Sequence, residues 1–188
     1  LQGRYWRIYA IEEFESLLNA IAEGKTGKNS SFNSSLSLLS AEIKPHLLEI
    51  TRRIHHTNPN FCLEQLIKHI FQEMPQVLEV KQFHGSSDQG ADLLIIYEEG
   101  LGIPAMKEQK TCIVQVKSYS GEHWDVRAVN DLRRAFVQFP DTSSGLIIST
   151  ADRSSPSLDN EIENLQKEMN KKVVLLIGED VATFLLSN

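Results

Sequence analysis

The sequence predicts an α/β fold in which helices flank a mixed sheet. In the second half of the chain, short apolar runs alternate with segments whose apolar residues recur at helical spacing. Between residues 76 and 117, strand-like runs follow one another without an intervening helix, which favours an antiparallel meander. From residue 60 the predicted order is α-β-β-β-α-β-α-β-α, with right-handed helical crossovers in its later part.

The first half of this region carries a helix and three strands. Apolar residues at helical spacing predict a helix over 63–71 that ends near Pro75. Partial alternation predicts a strand over 76–84, and two further apolar runs predict strands at 91–97 and 111–117. The stretch between the last two strands contains glycine and proline, which is typical of a long hairpin loop.

The second half alternates regularly. Asp125 can cap the first of its helices, and Ser155 followed by Pro156 is a typical start for the second. Its predicted elements are a helix over 126–138, a strand over 145–150, a helix from 156 to about 169, a strand over 172–177 and a helix over 179–186. Alternation of this kind builds parallel strands joined by helices.

Residues 1–59 are predicted to form a mainly helical segment or the tail of an upstream domain, separate from a domain over 60–188. Apolar spacing predicts a helix within 11–21, and a Gly-, Ser- and Asn-rich stretch at 24–35 predicts a loop. A second helical pattern covers 36–56 and includes Pro45, where a kink or break is expected.

Composition narrows the class of protein. The chain has 188 residues, of which 41% are hydrophobic and 23% charged, as in ordinary globular proteins. Residues 1–59 have 7 Lys/Arg and 6 Asp/Glu (+1), whereas 60–188 have 12 and 19 (−7), which gives the net charge of −6. This balance argues against broad charge-driven binding to nucleic acid. Any strong DNA affinity would have to come from local patches, a second subunit or another domain.

The sequence predicts a cytoplasmic protein with no membrane partner. No apolar run approaches the roughly 20 residues of a transmembrane helix, and the N-terminus lacks the layout of a signal peptide. Cys62 and Cys112 are too few for a disulfide framework and form no CxxC pair. The chain begins at Leu1 rather than Met, which favours a domain or fragment of a longer protein.

Three polar residues are expected to meet at one end of the central hairpin. Asp92 stands at the front of the apolar run that starts at Leu93. Because side chains alternate along a strand, Gln115 and Lys117 share one face. Antiparallel pairing would place the start of the first strand beside the end of the second, so Asp92 should meet both.

This grouping suggests metal-assisted phosphodiester hydrolysis. Asp92 is a hard oxygen ligand suited to Mg²⁺, for which Mn²⁺ can substitute, and the amide oxygen of Gln115 and the carbonyl of Val116 could complete the ligands. Lys117 could orient a water molecule or stabilise charge on the phosphate. Glu64, at the edge of the first apolar helix stripe, could serve as a further ligand or base, although an exposed helical glutamate is also common.

The residues around this grouping resemble the catalytic domain of Mrr-type restriction endonucleases, members of the PD-(D/E)xK nuclease superfamily. The resemblance covers about 60–188. It lies in the helix "FCLEQLIKHIF" with Glu64, in "GSSDQGADLLI" with Asp92, in "CIVQVKSYSG" with Gln115 and Lys117, and in the later "GLIISTADRSS" and "VVLLIGEDVATFLL". The resemblance implies a restriction-endonuclease-like core, the metal ligands described above and DNA as substrate.

The chain departs from the superfamily pattern at several positions. Ala91 stands where the superfamily name has Pro, and Leu93 stands where many relatives have Gly. Gln115 replaces the acidic residue, an exchange that Mrr-like members share, and it implies weaker metal binding or a different number of metal ions. No DNA-recognition domain of the family is recognisable in 1–59.

Candidate DNA contacts follow the second active-site strand. They are His123 and the arginines of the next helix, Arg127, Arg133 and Arg134. A solvated helix face is the alternative for the arginines, since most such residues face water, and packing or surface exposure is the alternative for His123. Trp124 is expected to pack on the core.

Together these features predict a metal-dependent DNA endonuclease, used in restriction or defence against foreign DNA. A repair or junction-resolving nuclease of the same fold and a catalytically inactive module that binds nucleic acid or a partner are the alternatives. Cleavage of both DNA strands needs two active sites, so a homodimer or a larger assembly with other domains is expected.

Overall fold

The computed structural model describes residues 30–83, 90–100 and 107–187, with side chains from residue 41 onward. The predicted helix within 11–21 and the loop around 84–89 lie outside these ranges. By its contacts the chain divides into two compact units, Leu1–Glu42 and Ile43–Asn188.

Five helices and seven strands cover the described residues, and they are numbered here in chain order. They are α1 Ser30–Thr57, α2 Phe61–Glu73, β1 Val77–Gln82, β2 Leu93–Glu99, β3 Glu108–Lys117, β4 Glu122–His123, α3 Arg127–Gln138, β5 Ser144–Ser149, β6 Arg153–Ser154, α4 Pro156–Met169, β7 Lys172–Ile177 and α5 Glu179–Ser187. From α2 onward this order is the predicted one, apart from the two-residue strands β4 and β6.

The central sheet is mixed, as predicted. Its five strands lie in the order β1-β2-β3-β5-β7. The first three pair antiparallel, with Leu93 opposite Val114, and the last three pair parallel, with Lys117 opposite Ser149. The carboxyl end of β3 therefore lies beside the start of β2 on one side and the end of β5 on the other.

Each face of the sheet is covered by two helices. On one face, α3 and α4 pack over residues such as Leu94 and Ile113, with Leu132 among the buried helix residues. On the other face, α2 and α5 pack over alternate strand residues such as Val114, with Leu63 fully buried. Gln115 and Lys117 follow Ile113 in the alternation, so they belong to the face that α3 covers.

The predicted helix starts are confirmed in part. Ser155 is the N-cap of α4, where its Oγ accepts the Leu158 N–H at 3.2 Å, and Pro156 is the first helical residue. Asp125 lies one residue before the N-cap of α3, but its Oδ1 still accepts the N–H of Arg127 at 2.8 Å. Both side chains satisfy a backbone donor that the helix leaves without a partner.

Helix α1 differs from the prediction at its start. It begins at Ser30, so the loop predicted through residue 35 is wrong for 30–35, and it continues through Pro45. In a helix, serine and asparagine are less favourable than most residues by only roughly a few tenths of a kcal/mol. A helix can therefore include them when the neighbouring residues favour helix formation.

The second half of α1 belongs to the compact unit Ile43–Asn188 and packs against the other elements of that unit. Thr51 is fully buried and its Oγ1 donates to the carbonyl of Gly178 at 2.7 Å. Arg52 makes two hydrogen bonds to the carboxylate of Asp152, at 3.0 and 2.8 Å. The domain boundary between residues 59 and 60 stays a prediction. Among the residues described, no helix combines the length and apolar character that a bilayer crossing requires.

Candidate active site

Asp92 lies at the end of the central hairpin, immediately before β2. Its backbone N–H donates to the carbonyl of Val114 at 3.1 Å. Its Oδ2 accepts the backbone N–H of Val116 at 2.6 Å. The carboxylate therefore lies against the peptide that joins Gln115 to Val116. A charge at the front of an apolar strand is thus stabilised by a charge-assisted hydrogen bond from the neighbouring strand.

Within the part of the chain that the structure describes, the buried amide of Gln115 has one hydrogen-bonded atom and one unsatisfied atom. The residue is 1% exposed, and its Nε2 donates to the carbonyl of Gly90 at 2.8 Å. A carbonyl only accepts, so the amide nitrogen must face Gly90 and the oxygen must face the other way. That buried Oε1 has no hydrogen-bond partner among the described residues. Leaving such an atom unsatisfied costs about 1–3 kcal/mol, so a cation or a water donor would fit there.

Lys117 is held by a residue that sequence reasoning missed. Its Nζ lies 3.3 Å from Oδ2 of Asp131 on α3, in a pair whose side chains are 23% and 24% exposed. Arg134 donates to the other carboxylate oxygen of Asp131 at 2.6 Å. The sequence predicted Asp92 as the acidic neighbour of Lys117, and that pairing stays a prediction. The acidic residue that the structure pairs with Lys117 is Asp131, from the helix above.

The chain that follows Lys117 is tied to two other elements. Thr150, at the end of β5, accepts the N–H of Tyr119 at 3.0 Å and donates to its carbonyl at 2.9 Å. The Nδ1 of His55 on α1 lies 3.1 Å from the hydroxyls of both Thr150 and Ser118. Sequence patterns could not place His55 here, because the contact joins residues far apart in the chain.

Glu64 lies in the first turn of α2 and is half-buried. Helix α2 covers the face of the sheet opposite to Gln115 and Lys117. A ligand role would require the carboxylate to extend past the end of the sheet, and it stays a prediction. The carbonyl of Val116 likewise stays a predicted ligand.

The predicted DNA-contacting arginines fall into two groups. Arg133 donates to Glu161 at 2.7 Å and to Glu168 at 2.9 Å, which joins α3 to α4. This pairing favours a helix-joining role over a DNA contact. Arg127 and Arg134 expose most of their side chains, so both remain candidates for contacting phosphate.

The two aromatic residues after β3 are placed opposite to expectation. The ring of His123 is fully buried, 4.4 Å from the ring of Tyr119 between centroids, so the predicted DNA contact by His123 does not fit this structure. Trp124 is 72% exposed, so the prediction that it packs on the core is wrong. His123 is the last residue of β4 and pairs with Ser154 of β6, whereas Trp124 follows directly after the strand.

The burial of His123 makes the stability of the folded protein depend on pH. Burial lowers the pKa of His123 below the ordinary 6.5, and the charge of Lys117 acts in the same direction, while Asp125 opposes both. The folded state then binds this proton less readily than the unfolded state does. The linked contribution to stability is therefore lost as pH falls below about 6.5, toward the lowered folded pKa.

We therefore expect His123→Phe to flatten the pH dependence of stability below about pH 6.5, since phenylalanine keeps an aromatic ring and removes the proton site. Phenylalanine also removes the interaction of the His123 ring with the backbone of Asp125, which raises the pKa of His123. Urea unfolding across this pH range measures the effect. An unchanged slope in the variant would show that His123 does not carry it.

This mixed sheet carries a carboxylate, an amide and an ammonium group at the end of its central hairpin. Its topology and these groups define a restriction-endonuclease-like nuclease domain. The family model Mrr_cat, described as restriction endonuclease, matches residues 57–185. The match covers more than half of the chain, and the chain belongs to this family. The resemblance predicted from the sequence is confirmed, as is the fold class.

Solved structures of restriction endonucleases are similar to this chain, and that of FokI shares the fold. The structure of FokI matches with a TM-score of 0.50 and 16% identity over 73% of this chain and 26% of its own. MspJI in complex with a 27-mer oligonucleotide has a TM-score of 0.48 and 14% identity, over 72% of this chain and 30% of its own. AspBHI, a DNA modification-dependent restriction endonuclease, has a TM-score of 0.47 and 14% identity, over 77% of this chain and 35% of its own. The chain thus spans about a quarter to a third of these proteins, and no curated protein sequence matches it.

Proposed function

We propose that this chain is a metal-dependent DNA endonuclease domain that acts in restriction or defence against foreign DNA in the cytoplasm. The observation that carries the proposal is the buried, unsatisfied Oε1 of Gln115 beside the peptide that holds the Asp92 carboxylate. We propose that these two oxygen donors converge next to Lys117 at the end of the hairpin. Family membership supports the same reading.

The donors fit a hard divalent cation. Members of this family generally use divalent metal ions. The available atoms are the Asp92 carboxylate, the amide oxygen of Gln115 and the carbonyl of Val116, and oxygen ligands of this kind suit Mg²⁺ or Mn²⁺. When bound, the ion would polarise the phosphodiester and promote formation of hydroxide.

Few protein charges would surround that ion. Among the described residues, no three His, Cys, Asp or Glu side chains are grouped so that they could hold a metal. Mg²⁺ commonly keeps several waters and shares its ligands with substrate phosphates, so one carboxylate and one amide are compatible with it. We propose Glu64 as a further ligand or base.

Lys117 supplies the positive charge of this site. Lys117 directly follows Val116, whose N–H contacts Asp92, and its side chain lies on the same face of the sheet as that of Gln115. There it would orient the attacking water and stabilise the charge that develops on the phosphate. Because the site is only partly open, this interaction is screened less than one on the surface.

Binding of DNA would depend on local contacts. The net charge of −6 opposes broad attraction to phosphate. Arg127 and Arg134, on the helix that covers Lys117, are the proposed phosphate contacts. Cleavage of both strands would use two copies of the site, in a homodimer or a larger assembly with other domains.

The proposal is tested with supercoiled plasmid, modified and unmodified, in Mg²⁺ or Mn²⁺. Wild-type protein should nick or linearise it, EDTA should stop the reaction, and Asp92→Ala should lower the rate by about a thousandfold, since it removes the charged ligand. Asp141→Ala is the matched control because Asp141 is exposed and precedes β5, at the sheet end opposite Lys117.

The other outcomes separate the alternatives. Cleavage that requires branched or damaged DNA would indicate a repair or junction-resolving nuclease. DNA binding without cleavage under any metal condition would indicate an inactive binding module. Equal rates for the wild type and Asp92→Ala would overturn the site.

A further inference from the structure

We infer that Asp131 is a positioning residue of this active site, which holds the ammonium group of Lys117 in register with the amide of Gln115. The inference rests on the proposed function, because it assigns a purpose to the geometry of Lys117. Nothing in the strand pattern points to Asp131, since it lies on α3 rather than on the hairpin.

The side chain of Asp131 contacts the ammonium group of Lys117. Nζ of Lys117 lies 3.3 Å from Oδ2 of Asp131, and about three quarters of each side chain is buried. A lysine stem has many rotamers, and an ammonium group that must face one phosphate gains from having them restricted. Because the pair is largely buried, solvent screens it less than an exposed pair, and it restricts the position of the ammonium group more firmly.

The backbone of Asp131 makes a second contact with the site. A Cβ on Gly90 would lie 2.2 Å from the carbonyl oxygen of Asp131, so Gly90 rests directly on this turn of α3. The carbonyl of Gly90 in turn accepts the amide of Gln115 at 2.8 Å. Asp131 therefore contacts Lys117 through its side chain and Gly90 through its backbone. Gly90 in turn orients the amide of Gln115.

The carboxylate of Asp131 is itself fixed. Arg134 donates to its Oδ1 at 2.6 Å, which leaves Oδ2 directed at Lys117. Ala128 and Ala135, three residues before and four after Asp131, are buried, and their small side chains allow α3 to approach the hairpin closely. The turn of α3 around Asp131 thus fixes the relative placement of the amide and ammonium groups.

The test is Asp131→Asn, which keeps the shape of the side chain and removes its charge. We expect kcat for plasmid cleavage to fall by about 10- to 100-fold with KM for DNA within about twofold, because misplacing a catalytic group affects the chemical step. Asp131→Glu, which restores the charge, should recover part of kcat. Asp141→Asn is the matched control and should cleave like the wild type.

A second readout does not depend on activity. Lysines are labelled by ¹³C reductive methylation, and the Lys117 signal is assigned by its loss in Lys117→Arg. In the wild type this signal should be broader than those of exposed lysines, and in Asp131→Asn it should narrow toward them as the side chain gains mobility. If Asp131→Asn does not fold, Asp131→Ser carries the same comparison.

An active wild type with unchanged kcat and an unchanged Lys117 signal in Asp131→Asn would overturn this inference and leave the proposed function standing. Loss of kcat that tracks loss of folded protein, without recovery in Asp131→Glu, would assign Asp131 a purely structural role and would also overturn it. A wild type that cleaves no DNA would overturn the proposed function instead.

Discussion

Lys117→Met is expected to lower the rate of DNA cleavage by about a hundredfold to a thousandfold, the usual cost of removing one group that stabilises transition-state charge. Methionine matches the length of the lysine stem and keeps its apolar contacts. The fold should survive, because Asp131 keeps its pair with Arg134 after the ammonium group is removed. Single-turnover cleavage of plasmid in Mg²⁺ measures the rate, and circular dichroism melting checks the fold.

Lys110→Met is the matched control for this prediction. Lys110 lies on the same strand, seven residues before Lys117, and pairs with Glu99 at the far end of the hairpin. It should cleave at the wild-type rate. Lys117→Arg should fall between the two, because arginine keeps the charge but spreads it over a planar group of different shape. Equal rates in Lys117→Met and Lys110→Met would remove Lys117 from the mechanism.

The hairpin was predictable because strand geometry is local. Side chains alternate with a period of two, so the sequence alone places Gln115 and Lys117 on one face. An apolar run that starts at Leu93 and another that ends before Lys117, joined by a loop rich in turn residues, pair antiparallel in only a few registers. The observed pairing of Leu93 with Val114 lies within that small set.

The role of Asp131 was hidden because it depends on how closely a helix approaches a sheet. Helical spacing marks Leu132 and Phe136 as buried, and it places Asp131 at the edge of that stripe. It does not tell which strand end the edge will overlie. That is settled by Gly90, against which α3 packs, and a turn glycine in a sequence carries no sign of what lies above it.

The sequence left a DNA contact, packing and surface exposure open for His123, and it could not choose among them. Strand β4 has two residues, too few for an alternation pattern. The pairing of β4 with β6 places His123 opposite Ser154, about thirty residues later in the chain, and Trp124 follows outside this ladder. Hydrophobicity favoured burying Trp124, but the structure buries His123 and exposes Trp124.

Gly90→Ala is expected to lower the free energy of unfolding by about 3 kcal/mol, from backbone strain together with overpacking. Gly90 has φ of +83°, a conformation that an L side chain adopts only with strain. A Cβ there would also lie 2.2 Å from the backbone oxygen of Asp131 and 3.1 Å from the backbone nitrogen of Ala135, so the loop or α3 must move. Because the Gly90 carbonyl holds the amide of Gln115, cleavage should fall as well.

Gly121→Ala separates these two causes. Gly121 has a similar φ of +75°, but a Cβ at that position would meet nothing within 4 Å. It should therefore show the backbone strain alone, about 1 kcal/mol, and both alanine variants gain the same entropic benefit in the unfolded state. Urea unfolding of the pair gives the difference that belongs to the close approach of Gly90 to α3. Equal losses would mean that Gly90 is required only for its backbone conformation, and that the contact between the hairpin and Asp131 does not constrain the site.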